Sequence, residues 1–158
     1  MRFSTRVASR LESSGWAPGR AVDISTWVEE FQGQGYIMHP SGCAALKEFG
    51  GLSIDPLFKE GPNYSNDEPL ELDPTLTGVG FQDELEKALG GDWCPMGEWM
   101  SHSSVLIRED GLVVATGFSW VWKLGESIED AIAFSVLGDR PLKCLAVVDP
   151  GVKPWPPE

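Results

Sequence analysis

Apolar residues recur along the chain at two spacings, and these divide it into helical and extended segments. Phe3, Val7 and Leu11 repeat every four residues beside a parallel stripe of Arg2, Arg6 and Arg10, which predicts an amphipathic opening helix with a basic flank. Ser13, Ser14 and Gly15 end it, and Trp16, Pro18 and Gly19 form a connector. Asp23 is the expected N-cap of a second helix carrying Trp27, Val28 and Phe31 on one face, stopped between Gly33 and Gly35. A third helix begins after His39 with Pro40 in its first turn and runs through Ala44, Ala45, Leu46 and Phe49. Gly50 and Gly51 close it, because glycine adopts the left-handed conformation that ends a helix, so "LKEFGGLSID" reads as helix, cap and strand.

Beyond this point the period shortens. Short strands at 52–54 and 70–72 flank a polar loop, 55–68, rich in Gly, Pro and Asn. Residues 81–89 place Phe81, Leu85, Ala88 and Leu89 on one face of an acidic helix. "SVLIRE" and "LVVAT" flank Asp110-Gly111, a hairpin dipeptide with the positive-φ preference of tight β-turns. "FSWVWKL" alternates, with Phe118, Trp120, Trp122 and Leu124 on one face and Ser119, Val121 and Lys123 on the other. "SIEDAIAFSVLG" is a last helix, "LKCLAVV" a last strand, and "DPGVKPWPPE" favours an extended tail. The order is that of an α+β fold: an antiparallel meander with a hairpin, packed against N-terminal helices and a C-terminal helix. One domain is expected over residues 1–148, with a proline-rich tail at 149–158. Repeating βαβ units are absent, which argues against a nucleotide-binding parallel sheet.

Composition narrows the function classes. With 42% hydrophobic and 23% charged residues in 158, the chain can bury a core of its own. Three cysteines, Cys43, Cys94 and Cys144, form no CxxC pair, which points to reduced thiols and a cytoplasmic location. No apolar run approaches the ~20 residues of a membrane span, and the opening residues lack the apolar block of a signal peptide. Net charge is −12 and uneven: residues 1–20 set Arg2, Arg6, Arg10 and Arg20 against Glu12, whereas residues 55–92 set ten acids against Lys59 and Lys87. A nucleic-acid binder carries the opposite sign, because phosphate neutralisation supplies its affinity. A basic partner is the natural complement.

Candidate catalytic groups are poorly placed for chemistry. His39 and His102 stand in no metal-ligand spacing and read as loop residues. Gly78-Val79-Gly80 precedes a helix, but Asp83 and Glu84 follow it where a phosphate loop needs Lys, so a plain turn is expected. Cys94 beside Asp92 has no neighbouring base to activate it. The carboxylates Glu29-Glu30, Asp67-Glu68 and Glu129-Asp130 are sequence neighbours on solvated faces. No catalytic residue, cofactor or metal site is expected. Trp16, Trp27 and Trp93 suit joints or core, Trp120 and Trp122 face the helices, and Trp155 is expected to be exposed on the tail. An alternative reading is a regulatory module whose pocket, lined by Trp93, Trp99, Trp120 and Trp122, binds a small molecule or peptide.

In order and spacing, "LESSGWAPGRAVD", "TWVEEFQGQGY", "ALKEFGGLSID", "ALGGDWCPMGEWM", "LIREDGLVVA" and "LGESIEDAIAFSVLGD" resemble the third subfamily of the SUKH superfamily of bacterial immunity proteins, over nearly all of residues 9–138. The resemblance implies helices packed on an antiparallel sheet, no enzymatic activity, and a partner that is the toxin domain the protein neutralises, often a nuclease. It implies that Trp16, Gly50, Gly51, Pro95, Gly97 and Gly111 are scaffold positions; Arg20 and Phe49 lie in the same motifs. Interface residues do not carry over from a family. Charge places them instead on Glu60, Tyr64, Asp67, Glu68, Glu71, Asp73, Asp83, Glu84 and Glu86, with neither direct nucleic-acid binding nor membrane contact expected.

Overall fold

A computed structural model describes residues 2–57 and 60–157. Among these, the helices are α1 (Thr5–Ser13), α2 (Ser25–Gly33), α3 (Pro40–Phe49), α4 (Phe81–Leu89) and α5 (Ile128–Leu137). The strands are β1 (Ser53–Ile54), β2 (Leu70–Glu71), β3 (Trp93–Trp99), β4 (Ser103–Arg108), β5 (Val113–Thr116), β6 (Trp120–Gly125) and β7 (Lys143–Val147). All seven pair in sequence order, each antiparallel to the next, so the fold is α+β around one meander.

Alternation along the strands divides two cores. On one face Val105 and Ile107 of β4, Val113 and Ala115 of β5, and Trp122 and Leu124 of β6 meet Val7 and Leu11 of α1, Leu46 and Phe49 of α3, and Ala131, Ile132 and Phe134 of α5. On the other face Leu106, Val114 and Val121 join Trp93, Phe31, Tyr36 and Leu85 of α4. The sheet is therefore covered on both faces, with α4 and Phe31 of α2 on the face opposite α1, α3 and α5. Each fully buried large side chain stabilises the fold by about 1.5–3 kcal/mol relative to exposure.

Local chemistry explains the boundaries. The Ser4 side chain caps α1 through Val7 N–H, and Ser127 caps α5 through Asp130 N–H. Asp23 does not cap α2 from the N-cap position. Ile24 occupies that position, and the Asp23 carboxylate accepts from Ser25 N–H at 2.9 Å, which also holds its pKa below the usual carboxylate range. At the end of α3 it is Gly51, with φ of +87°, that is left-handed; Gly50 has φ of −57° and is small because Leu46 O and the Trp27 ring lie against it.

The hairpin at Asp110-Gly111 is built differently from a two-residue turn. Gly111 alone takes positive φ, its N–H donates to Arg108 O at 2.9 Å, and Arg108 N–H donates to Leu112 O, which makes a three-residue loop. β3, with a nearly continuous apolar run, contains both Pro95 and a bulge before Gly97. Proline is tolerated there because β2 pairs only with Glu98 and Trp99, leaving Pro95 with β4 as its sole strand neighbour. At Gly97, φ is +153° and an added Cβ would lie 1.8 Å from Glu71 O, so only glycine lets β2 approach.

The tail is docked rather than extended away from the sheet. Trp120 Nε1 donates to Lys153 O at 2.8 Å and Trp122 Nε1 to Trp155 O at 2.7 Å. The three rings gather within 5.9–6.3 Å, and Pro156 is buried while Trp155 stays partly exposed.

Candidate partner-binding surface

The corner at Trp16 and Arg20 is structural in its contacts. Trp16 packs edge-on against Phe3 with centroids 5.8 Å apart, and its indole N–H donates to Glu48 Oε2 at 3.1 Å. Arg20 donates to the Glu48 and Gly50 carbonyls at 2.7 and 2.8 Å, supplying positive charge at the carboxyl end of α3. Phe49 is fully buried behind this corner.

His102 and the buried thiol do not meet, whereas His39 and Cys94 both border Gly42. His39 is buried, not a loop residue in solvent: Nδ1 accepts from Gly42 N–H and Nε2 donates to Ile107 O, both at 3.0 Å, so the ring caps α3 and ties it to β4. His102 lies in the turn joining β3 to β4, its ring 5.3 Å from that of Phe118. Cys94 sits at the far end of β3, paired with Ile107; burial, then the neighbouring Cys43, pushes its thiol up to about 12. A thiol so held is not a nucleophile near neutral pH. Nor do the four tryptophans of the alternative reading line one pocket. Trp93 packs in the α4-side core, Trp99 and Trp122 in the opposite one, and Trp120 is stacked on Trp122.

The acidic residues fall into two groups that the sequence runs together. Glu60, Asp67 and Glu68 belong to the loop that leans on α5 and on the approach to β7, where Asn66 Nδ2 donates to Ser135 O and Leu142 N–H donates to Asn63 Oδ1, both at 2.8 Å. Tyr64 is buried in that loop, packed on Trp99 and Phe134, so its side chain is core; Lys59 lies outside the described residues. The second group is on the α4 side. Asp83, Glu84 and Glu86 are exposed on α4, and Asp73 caps the short 3-10 turn Pro74–Leu76. Glu71 stands directly opposite Glu98 across β2 and β3.

Five acids elsewhere are held in ion pairs. Glu48 and Glu129 both accept from Arg2 at 2.7 Å, Asp130 from Arg140 and Asp110 from Arg108 at 2.8 Å, and Glu126 pairs with Lys123. The Arg2 hydrogen bond, more than the Trp16 one, holds the Glu48 carboxyl below its ordinary range, and Arg108 does the same for Asp110. Among the described residues, none of Glu71, Asp73, Asp83, Glu84, Glu86 and Glu98 forms an ion pair. Like charges directly opposite on neighbouring strands are destabilising; here the Ser53 hydroxyl donates to Glu71 Oε1 at 2.8 Å, and Glu98 faces Glu71 with no ion pair among the described residues.

Sequence reasoning missed Glu98 and the exposed apolar residues Leu76, Val79 and Phe118. The only signal for Leu76 and Val79 was their place in "TLTGVG", where large apolar residues follow neither helical nor strand period.

A sheet clothed by helices on both faces, with its unpaired charge on the exterior rather than converging in a cleft, defines a class: an α+β scaffold with distinctive surface chemistry. A family model described as SUKH-3 immunity protein matches residues 3–138, and the chain belongs to that family. No curated protein and no solved structure gives a significant match. Among the described residues no helix is long and apolar enough to cross a membrane.

Proposed function

We propose that the chain neutralises a cognate toxin domain by occupying its basic active-site surface, without catalysis of its own and in the cytoplasm where such a toxin acts. A nuclease is the toxin class that fits, because a nuclease must present cationic side chains to its polyanionic substrate. The observation that carries the reading is the separation of charge. Glu48, Glu129 and Asp130 on the α1, α3 and α5 side, and Asp110 and Glu126 beside the β4–β5 hairpin, are engaged by arginines and lysine, whereas among the described residues Glu71, Asp73, Asp83, Glu84, Glu86 and Glu98 form no ion pair. Membership in an immunity family supports the same reading. The loop acids Glu60, Asp67 and Glu68 supply a second, separate negative patch.

The direct experiment is protection. Cells expressing the cognate toxin domain should survive when this chain is co-expressed and die without it; equal killing in both overturns the reading. For the purified pair, association should slow steeply as added salt shortens the Debye length from ~8 Å toward ~3 Å. A salt-independent on-rate would remove the electrostatic part while leaving protection intact.

A further inference from the structure

We infer that the contact is centred on one end of the sheet, where residues 74–80 and the turns joining β3 to β4 and β5 to β6 converge, and that it accepts a basic protein surface bearing aliphatic or aromatic side chains. This rests on the neutralisation reading and narrows it from a charge to a place.

Three large apolar side chains are displayed there: Val79 is 93% exposed, Phe118 54% and Leu76 43%. Exposed large apolar groups gathered at one end of a small domain mark an interaction site more often than chance exposure. They are mounted on anchored backbone. Gly78 N–H donates to Ser104 Oγ at 2.8 Å and Thr77 Oγ1 donates to Gly97 O at 3.2 Å, which ties the 74–80 segment to the ends of β3 and β4. Ser104 stands opposite Thr116, two residues before Phe118, and the Phe118 ring rests edge-on against His102. The adjoining turn holds Met100 and Ser101 at φ of 58° and 60°, a left-handed conformation that non-glycine side chains rarely adopt.

Charge decides the occupant. Glu71, Glu98 and Asp73 lie at this end, and Asp83 and Glu84 follow in the first turn of α4; between residues 71 and 107 the only lysine or arginine is Lys87. An apolar centre flanked by unpaired charge is the arrangement of a protein interface. A second copy, itself at −12 net charge, would bring carboxylates onto carboxylates, and a nucleic acid would do the same with phosphates. A cationic partner relieves the Glu71–Glu98 repulsion as it binds. The groove of about 600 Å³ beside β7, walled by Pro141, Pro154, Pro156 and Pro157, has no comparable charge bias.

The test uses the full chain and an amphipathic lysine–leucine peptide, followed by backbone amide shifts. Shifts should concentrate at residues 74–80, 98–104 and 116–119. The triple variant Leu76→Ser, Val79→Ser and Phe118→Ser should weaken binding at least tenfold at fixed salt while unfolding at the wild-type temperature. A second variant, Glu12→Gln with Glu30→Gln at exposed positions of α1 and α2, should weaken it less than threefold. Absence of binding, shifts centred on the β7 groove or the outer face of α4, or a triple variant that binds like wild type overturns the site. Protection of cells is scored separately: its loss in the wild type overturns the neutralisation reading, and wild-type protection by the triple variant overturns the site alone.

Discussion

The two sides of the sheet solve opposite problems with the same kinds of residue. On the α1, α3 and α5 side, apolar groups are buried and three acids are matched to bases, Glu48 and Glu129 by Arg2 and Asp130 by Arg140. On the α4 side and the adjoining sheet end there is a core as well, around Leu85, Trp93 and Val114, but the acids are unmatched, two of them face each other, and Leu76, Val79 and Phe118 reach solvent. Stability explains the first arrangement and does not explain the second. A local choice made against stability is a pointer to function, because sequences break local rules chiefly at functional or strained sites.

That contrast can be broken or sharpened by substitution. The largest effect is expected on the matched side, where Phe49→Ala should lower the unfolding free energy by about 4 kcal/mol in a denaturant titration, since a fully buried ring is lost and the packed helices close only part of the cavity. Arg20→Ala should cost about 2 kcal/mol by removing two charge-assisted hydrogen bonds to the α3 carbonyls. A neutral result there would mean that α3 is capped without Arg20.

Smaller still is the acid dependence of the same side. The Arg2 hydrogen bond lowers the Glu48 pKa in the folded chain, so its contribution is present above the unfolded value near 4.5 and is lost as pH falls through the folded value. Because Arg2 is half-exposed, this should be no more than about 1 kcal/mol. Glu48→Gln should flatten the stability profile at acid pH without altering it near neutrality beyond that amount. On the unmatched side the sign reverses: Glu98→Gln should raise stability, by up to about 0.5 kcal/mol at low salt, by relieving Glu71, while slowing association with a basic partner. Destabilisation by Glu98→Gln would erase the distinction between the two sides.

Much of the fold was legible in one dimension. The four-residue spacing of Phe3, Val7 and Leu11, the glycine pair after Phe49 and the alternation through Trp120, Trp122 and Leu124 each point to the element that forms. β3 was harder to see as a complete strand because "WCPMGEW" is buried on nearly all sides and carries a proline and a bulge, so it lacks the period of a half-buried strand. Trp16 and Arg20 were readable as architecture, although the α3 carbonyls that receive Arg20 are some 30 residues away in sequence. The candidate surface was only half readable: the acids were visible as a run, whereas Tyr64 turned out to be core, and Glu98 and Phe118 come from later strands and turns.

By itself the sequence determined the kinds and order of elements and the sign of the charge, because periodicity, capping and composition act over a few residues or over the whole chain at once. Only the tertiary structure decided that α4 covers the opposite face, that the tail returns to Trp120 and Trp122, and which carboxylates find a base. Those outcomes depend on distances between residues far apart in sequence. Ion pairing and packing act over a few ångströms, and folding alone sets such distances.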